Sequence, residues 1–182
     1  MFEFDNKNLI IRNKKIKNKK KFIKLNITSD WAPIFDEASD LMVKKKYYQS
    51  LQPFFKDGDL NITNLETVID LKKRKFSKNA LRFINKPKIL SSLKNINTNL
   101  VCLANNHIMD NGDVGLKNTI KFLKKYKINH VGAGLSFKKI YKPFIFKKDS
   151  NKIAIINTSE GEEANEKYNN RIGSSDIESY KI

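Results

Sequence analysis

The sequence predicts an α/β domain built on a largely parallel sheet. Short apolar runs rich in β-branched residues alternate with segments of helical apolar spacing, the pattern of βαβ units. Four of the runs end in Asp, Asn, Glu or His, and in open α/β sheets ligands sit just beyond the carboxyl ends of the strands. The 182 residues are enough for one domain with a real core, and 40% hydrophobic content excludes a disordered chain.

The elements follow in order. Residues 22–27 alternate as a strand and run into Ser29, Asp30 and Trp31. Residues 43–55 place Tyr47, Leu51, Phe54 and Phe55 at helical spacing, and Asp57-Gly58 makes a turn. A short strand over 59–63 runs into Asn64, Leu65 and Glu66. The charged stretch from Lys72 to Lys75 reads as a loop. Pro87 can open a short helix that buries Ile89, Leu90 and Leu93. The apolar run 100–104 ends abruptly in Asn105, Asn106 and His107, with Asp110 and an Asn111-Gly112 turn behind it. Asp113 is the expected N-cap of a helix through Tyr126, with Leu116, Ile120 and Leu123 on one face. Residues 128–131 form a strand closed by Gly132-Ala-Gly134, glycines that can approach a phosphate but more often just turn. A buried-strand pattern at 153–156 runs into Asn157 and Glu160.

An amide, an imidazole and a carboxylate at one strand end suit a metal or a phosphate. The plainer reading is that Asn105 and Asn106 cap a turn against which His107 packs. Four strands delivering such groups at their carboxyl ends favour one converged site.

The net charge is +17, from 36 Lys and Arg against 19 Asp and Glu. Such a balance suits nucleic acid, an acidic membrane or another polyanion. It equally suits an AT-rich coding sequence with solvated lysines. The basic residues are mostly Lys, with little of the Arg that forks onto phosphates and bases, and they spread along the chain. One local run, Lys14, Lys15, Lys17, Lys19, Lys20, Lys21 and Lys24, makes residues 1–21 read as a basic flexible lead-in. No aromatic residue interleaves residues 7–21, so single-strand stacking is not supported. No stretch is long and apolar enough to span a bilayer, and the acidic, mixed start lacks the pattern of a secretory signal, so a cytoplasmic chain is expected. The lone Cys102 has no internal disulfide partner.

Several segments in this order resemble the CapA family of capsule and poly-γ-glutamate biosynthesis proteins. The run from Asp59 to Thr67 resembles the family's D-L-x-x-x-N-L-E-x segment. The run from Leu103 to Gly112, with Gly115, Leu116 and Thr119, resembles L-A-N-N-H-x-x-D-x-G-x-x-G-L-x-x-T. Residues 131–134 match a V-G-A-G turn. Residues 29–34 resemble a G-D-W-A-P-I first metal motif with Ser29 in place of Gly, and residues 157–162 resemble the segment after the next core strand.

The resemblance implies a calcineurin-like metallophosphatase layered sandwich over residues 22–182, its N-terminal portion, lacking its C-terminal part. It implies metal ligation by Asp30, Asn64, Glu66 and Asn106, with His107 steadying a phosphoryl oxygen or leaving group and Asp110 orienting His107. One or two divalent ions (Mn, Fe or Zn) would be the cofactors, serving metal-dependent phosphatase or hydrolase chemistry. Later family segments supply further histidine ligands, whereas this chain has two histidines, His107 and His130. The expectation is therefore an incomplete site, completed by a C-terminal partner chain, or a weak metal binder with little activity alone. Two alternatives stand beside it. One is a non-catalytic subunit handling a polyanionic polymer such as poly-γ-glutamate or capsule. The other is a basic nucleic-acid-binding domain, which nothing but charge supports.

Overall fold

The computed structural model describes residues 22–33, 40–72, 82–160 and 172–175, together with the backbone of 2–5 and 8–11. Phe2–Asp5 (β1) and Asn8–Ile11 (β2) pair as an antiparallel hairpin. The rest of the expected basic lead-in, with Lys14 to Lys21, lies outside the described residues, as do Arg74, Lys75 and Glu162.

From there the strands expected near 59–63, 100–104 and 128–131 appear. The first expected strand falls at Leu25–Asp30 rather than 22–27, and further short strands stand between them. The order is β3 (Leu25–Asp30), α1 (Gln52–Lys56), β4 (Leu60–Asn64), β5 (Val68–Ile69), β6 (Ile84–Asn85), α2 (Leu90–Asn95), β7 (Leu100–Cys102), α3 (Gly112–Lys125) and β8 (Asn129–Val131). β9 (Ala133–Gly134), α4 (Phe137–Ile140), β10 (Phe144–Lys148), β11 (Asn151–Ile155) and β12 (Gly173–Ser174) follow. Strands β3, β4, β7 and β8 form one four-stranded parallel sheet in that spatial order.

The sheet is covered on both faces, as parallel sheets are. Alternation along a strand sends successive side chains to opposite faces. Val101 and Leu103 join a large cluster with Phe55, Leu65, Leu90, Leu93, Leu116 and Leu123. Leu60, Ile62, Leu100 and Val131 point the other way, against Phe144, Phe146 and Ile155. The second layer is thus an antiparallel hairpin, β10 with β11. The run at 153–156 is a half-buried arm of that hairpin rather than a further parallel strand. A short apolar run reveals strand but not the direction of its partner.

Helix α3 shows why the local sequence folds as it does. Gly115, Leu116, Thr119 and Leu123 are buried at helical spacing, while Lys117, Lys121, Lys124 and Lys125 lie outside that stripe. Thr119 Oγ1 accepts from the Ile69 N–H at 2.8 Å and donates to the Gly115 carbonyl at 2.9 Å, tying α3 to β5. Its N-cap is Asn111 rather than Asp113, which lies in the first turn. The Asn111 side chain is drawn away from capping by Asp70, to which it donates at 2.6 Å.

The expected helix over 43–55 is broken. Two 3₁₀ turns, Lys45–Tyr47 and Gln49–Leu51, precede the five-residue α1. Pro53 lacks an N–H and its ring crowds the carbonyl four residues back, so an α-helix cannot run through it. The buried face also differs. Tyr48 and Phe55 are buried, whereas Tyr47, Leu51 and Phe54 are exposed.

Candidate functional site

At the carboxyl edge of the sheet the strand ends arrive together because β3 carries an extra residue. Thr28 lies opposite Thr63 and Asp30 opposite Asn64, so Ser29 is a bulge. Without it Ser29, not Asp30, would face Asn64; bulges re-aim side chains in this way. Asn64 Nδ2 donates to Asp30 Oδ1 at 2.7 Å. Asn64 Oδ1 accepts from Asn105 Nδ2 at 3.2 Å. Asn105 also donates to the Leu65 carbonyl at 3.1 Å, and its Oδ1 accepts from the His107 N–H at 3.1 Å. The backbone backs this up: the Trp31 N–H donates to the Asn64 carbonyl at 2.7 Å, and the Leu65 N–H to the Cys102 carbonyl at 3.0 Å.

His107 is held from the other side. Its Nδ1 lies 2.9 Å from Asp110 Oδ2. The same carboxylate accepts from the Phe83 backbone N–H and from Arg82 Nη1, the latter at 3.4 Å. An ionised carboxylate only accepts, so Nδ1 carries the proton and donates. Nε2, on the far side of the ring, is the nitrogen left for chemistry. The Phe83 ring stacks on the imidazole with centroids 3.8 Å apart and planes 17° from parallel.

A continuous run of hydrogen bonds therefore joins Asp30, Asn64, Asn105, His107 and Asp110. Glu66 is half-buried on the segment after β4, and Asn106 is exposed between Asn105 and His107. The donor set is oxygen-rich: one exposed carboxylate, amide oxygens and a nearby imidazole. That chemistry fits a hard or borderline divalent ion approached from one side. Among the described residues no three of His, Cys, Asp and Glu cluster closely enough to hold an ion unaided.

Other residues singled out by the sequence lie apart from this run. His130 is half-buried on β8; burial first, then Lys139, pushes its pKa below the ordinary imidazole value. Cys102 is half-buried, and burial pushes its thiol up to about 11, which keeps it protonated near neutral pH. Gly132 has a positive φ of 89°, and a Cβ there would lie 2.2 Å from Asn157 Oδ1. The glycine makes room for Asn157, whose Oδ1 accepts from the Ala104 N–H at 2.7 Å.

Three participants escaped the sequence reading. Asn105 looked equivalent to Asn106, yet it is the buried organiser. Arg82 and Phe83 sit in a segment with no local signature, brought in by the pairing of β6 with β5. Among the described residues, no helix is long and apolar enough to cross a membrane.

A family model described as "Bacterial capsule synthesis protein PGA_cap" matches residues 14–181. The chain is 31% identical over 96 residues to "Capsule biosynthesis protein CapA" of Bacillus anthracis, covering 51% of this chain and 23% of that protein. It is 28% identical over 102 residues to "PGA biosynthesis protein CapA" of Bacillus subtilis (strain 168), covering 56% of this chain and 27% of that protein. The matched stretch thus spans about a quarter of each relative's length. The parallel sheet covered by helices on one face accords with the metallophosphatase-like α/β fold expected of such proteins. With nearly the whole chain matched by the family model, this protein belongs to the bacterial capsule synthesis (PGA_cap) family.

Proposed function

We propose that this chain serves capsule or poly-γ-glutamate biosynthesis through a divalent-metal site at the carboxyl edge of its sheet. Asp30, Asn64, Glu66 and Asn106 would hold the ion, and His107, oriented by Asp110, would act on the substrate from Nε2. The observation that carries this reading is the run of hydrogen bonds from Asp30 through Asn64 and Asn105 to His107. It joins three segments distant in sequence at the one sheet edge where α/β folds bind ligands. A bound Mn²⁺, Fe²⁺ or Zn²⁺ would polarise a phosphoryl or carbonyl oxygen and lower the pKa of a bound water. Asn64, by donating to Asp30, fixes one carboxylate oxygen and leaves the other for the ion. Asp110 keeps His107 in the tautomer whose Nε2 can accept a proton or a metal.

The test is Mn²⁺ titration of the purified chain, read by electron paramagnetic resonance and calorimetry. Weak, saturable binding that is lost in Asp30→Ala is expected, with little or no turnover of a generic phosphoester. Binding unchanged in Asp30→Ala would overturn the assignment.

A second reading is favoured by one observation, the net charge of +17. Here the chain is a non-catalytic subunit that handles a polyanionic polymer. It predicts poly-γ-glutamate binding that falls steeply with salt and is indifferent to Asp30→Ala.

A further inference from the structure

Phe83 belongs to a segment that neither the sequence motifs nor the metal reading uses. Its backbone N–H donates to Asp110 Oδ2, the oxygen that also holds His107 Nδ1. Its ring lies flat on the imidazole. Phe83 is itself buried, at 7% exposure, and β6 just after it is paired with β5. The Phe83 carbonyl accepts from the Val68 N–H at 2.8 Å and from Thr67 Oγ1 at 2.8 Å. A rigid backbone thus presents one residue to both members of the His107–Asp110 pair.

We infer that Phe83 is a positioning residue for His107: its ring and its N–H fix the imidazole plane and the carboxylate together, so that Nδ1 stays protonated and Nε2 stays presented. A hydrogen bond from Asp110 constrains one atom of the ring. Rotation about the Cβ–Cγ bond is broad for histidine, and a single bond leaves much of it. The stacked face opposes that rotation. Arg82, the residue before Phe83, reaches the other oxygen of the Asp110 carboxylate, Nη1 to Oδ1 at 3.4 Å, so the same segment holds Asp110 at both oxygens. This inference rests on the reading of His107 as a working group of the pocket.

The experiment is nitrogen and proton NMR of the histidine side chains at pH about 8.5, where an ordinary imidazole is neutral. The chain has only two histidines, so His130 serves as an internal reference for folding, and His130→Gln assigns the pair. The wild type should show His107 as a single Nδ1–H tautomer, with ring protons displaced upfield by the Phe83 ring current. Phe83→Leu, which keeps apolar bulk, should lose the upfield displacement and mix the two tautomers. Phe83→Tyr should restore both signatures. A single Nδ1–H tautomer retained in Phe83→Leu would reduce Phe83 to core packing and overturn the inference. Should the leucine variant not fold, the wild-type spectrum still decides, because undisplaced His107 protons there would rule out the stack. No metal or substrate enters the measurement. Loss of Mn²⁺ binding elsewhere therefore leaves this result standing, and its failure leaves the metal reading untouched.

Discussion

Both ends of the parallel sheet are lined with asparagine, and they are built to opposite purposes. At the amino end, Asn61 is fully buried. Its Nδ2 donates to the Phe55 carbonyl at 2.9 Å and to the Asn97 carbonyl at 2.8 Å, and its Oδ1 accepts from Asn26 Nδ2 at 2.8 Å. Its backbone N–H donates to Asn99 Oδ1 at 2.8 Å. Gly58 is pressed so close that a Cβ there would lie 2.1 Å from Asn61 Oδ1. At the carboxyl end, Asn64 and Asn105 are also bonded, but Asn106 and Asp30 face outward. Residue type does not separate scaffold from site. Saturation does: amides that use every donor and acceptor inside the protein hold loops, and those left open are available to a ligand.

The sharpest test of that contrast is Asn61→Ala. It leaves the Asn97 carbonyl and one Asn26 side-chain N–H without their partner, each costing about 1–3 kcal/mol, while the Phe55 carbonyl keeps the Gly58 N–H. A loss on the order of 4 kcal/mol is expected, lowering the thermal midpoint by roughly 8–16 °C for a chain of this size. A melt followed by circular dichroism measures it. A drop below about 3 °C would mean that the amino-end network is dispensable and the contrast is false.

What the sequence revealed follows the same division. The four strands of the parallel sheet and α3 were legible, because β-branched apolar runs and helical spacing are local signals. The groups at the strand ends were legible too, since Asp30, Asn64 and His107 each close an apolar run. Non-local geometry was hidden. Nothing in the sequence says that Ser29 bulges and so brings Asp30 opposite Asn64. Nothing distinguishes Asn105, which is buried and bridges three segments, from its exposed neighbour Asn106. Phe83 meets His107 only through β5 and β6, two-residue strands too short to leave a pattern. In residues 43–55 the helical spacing of apolar groups misled, because Pro53 decided the backbone and Tyr48, not Tyr47, turned inward.

A smaller effect is expected at Asp59, which also belongs to the amino end. Its carboxylate accepts from Lys148 Nζ at 2.6 Å and from the Lys24 N–H at 2.8 Å, tying the β10–β11 hairpin to the sheet. The Lys148 bond first, and the Lys24 N–H next, hold its pKa below the ordinary carboxylate value. A depressed folded-state pKa contributes stability that is present above the unfolded value, about 3.9, and is lost as pH falls through the folded one. Asp59→Asn should therefore cost about 1 kcal/mol at neutral pH, discounted for the partial exposure of both partners. The gap between the wild-type and mutant midpoints should close as the pH is lowered through the acid range. A gap that persists at pH about 2 would locate the contribution in packing rather than charge.

The smallest expected effect on stability lies at the open end, and it tells most about function. Asn106 is exposed, and no hydrogen bond of its side chain to the described residues is seen. Asn106→Ala should change folding stability by no more than about 0.5 kcal/mol, the range of ordinary surface substitutions. The same variant should abolish saturable Mn²⁺ binding if its amide oxygen is a ligand. Asn105→Ala cannot serve this purpose, because Asn105 is buried and bonded to Asn64, Leu65 and His107, so its loss would disturb fold and site at once. Two outcomes for Asn106→Ala break the contrast between the ends of the sheet. A destabilisation comparable to Asn61→Ala would show that Asn106 is scaffold after all. Unchanged stability with unchanged Mn²⁺ binding would show an open amide that no ion uses, leaving the carboxyl edge to hold its ion through Asp30, Asn64 and Glu66.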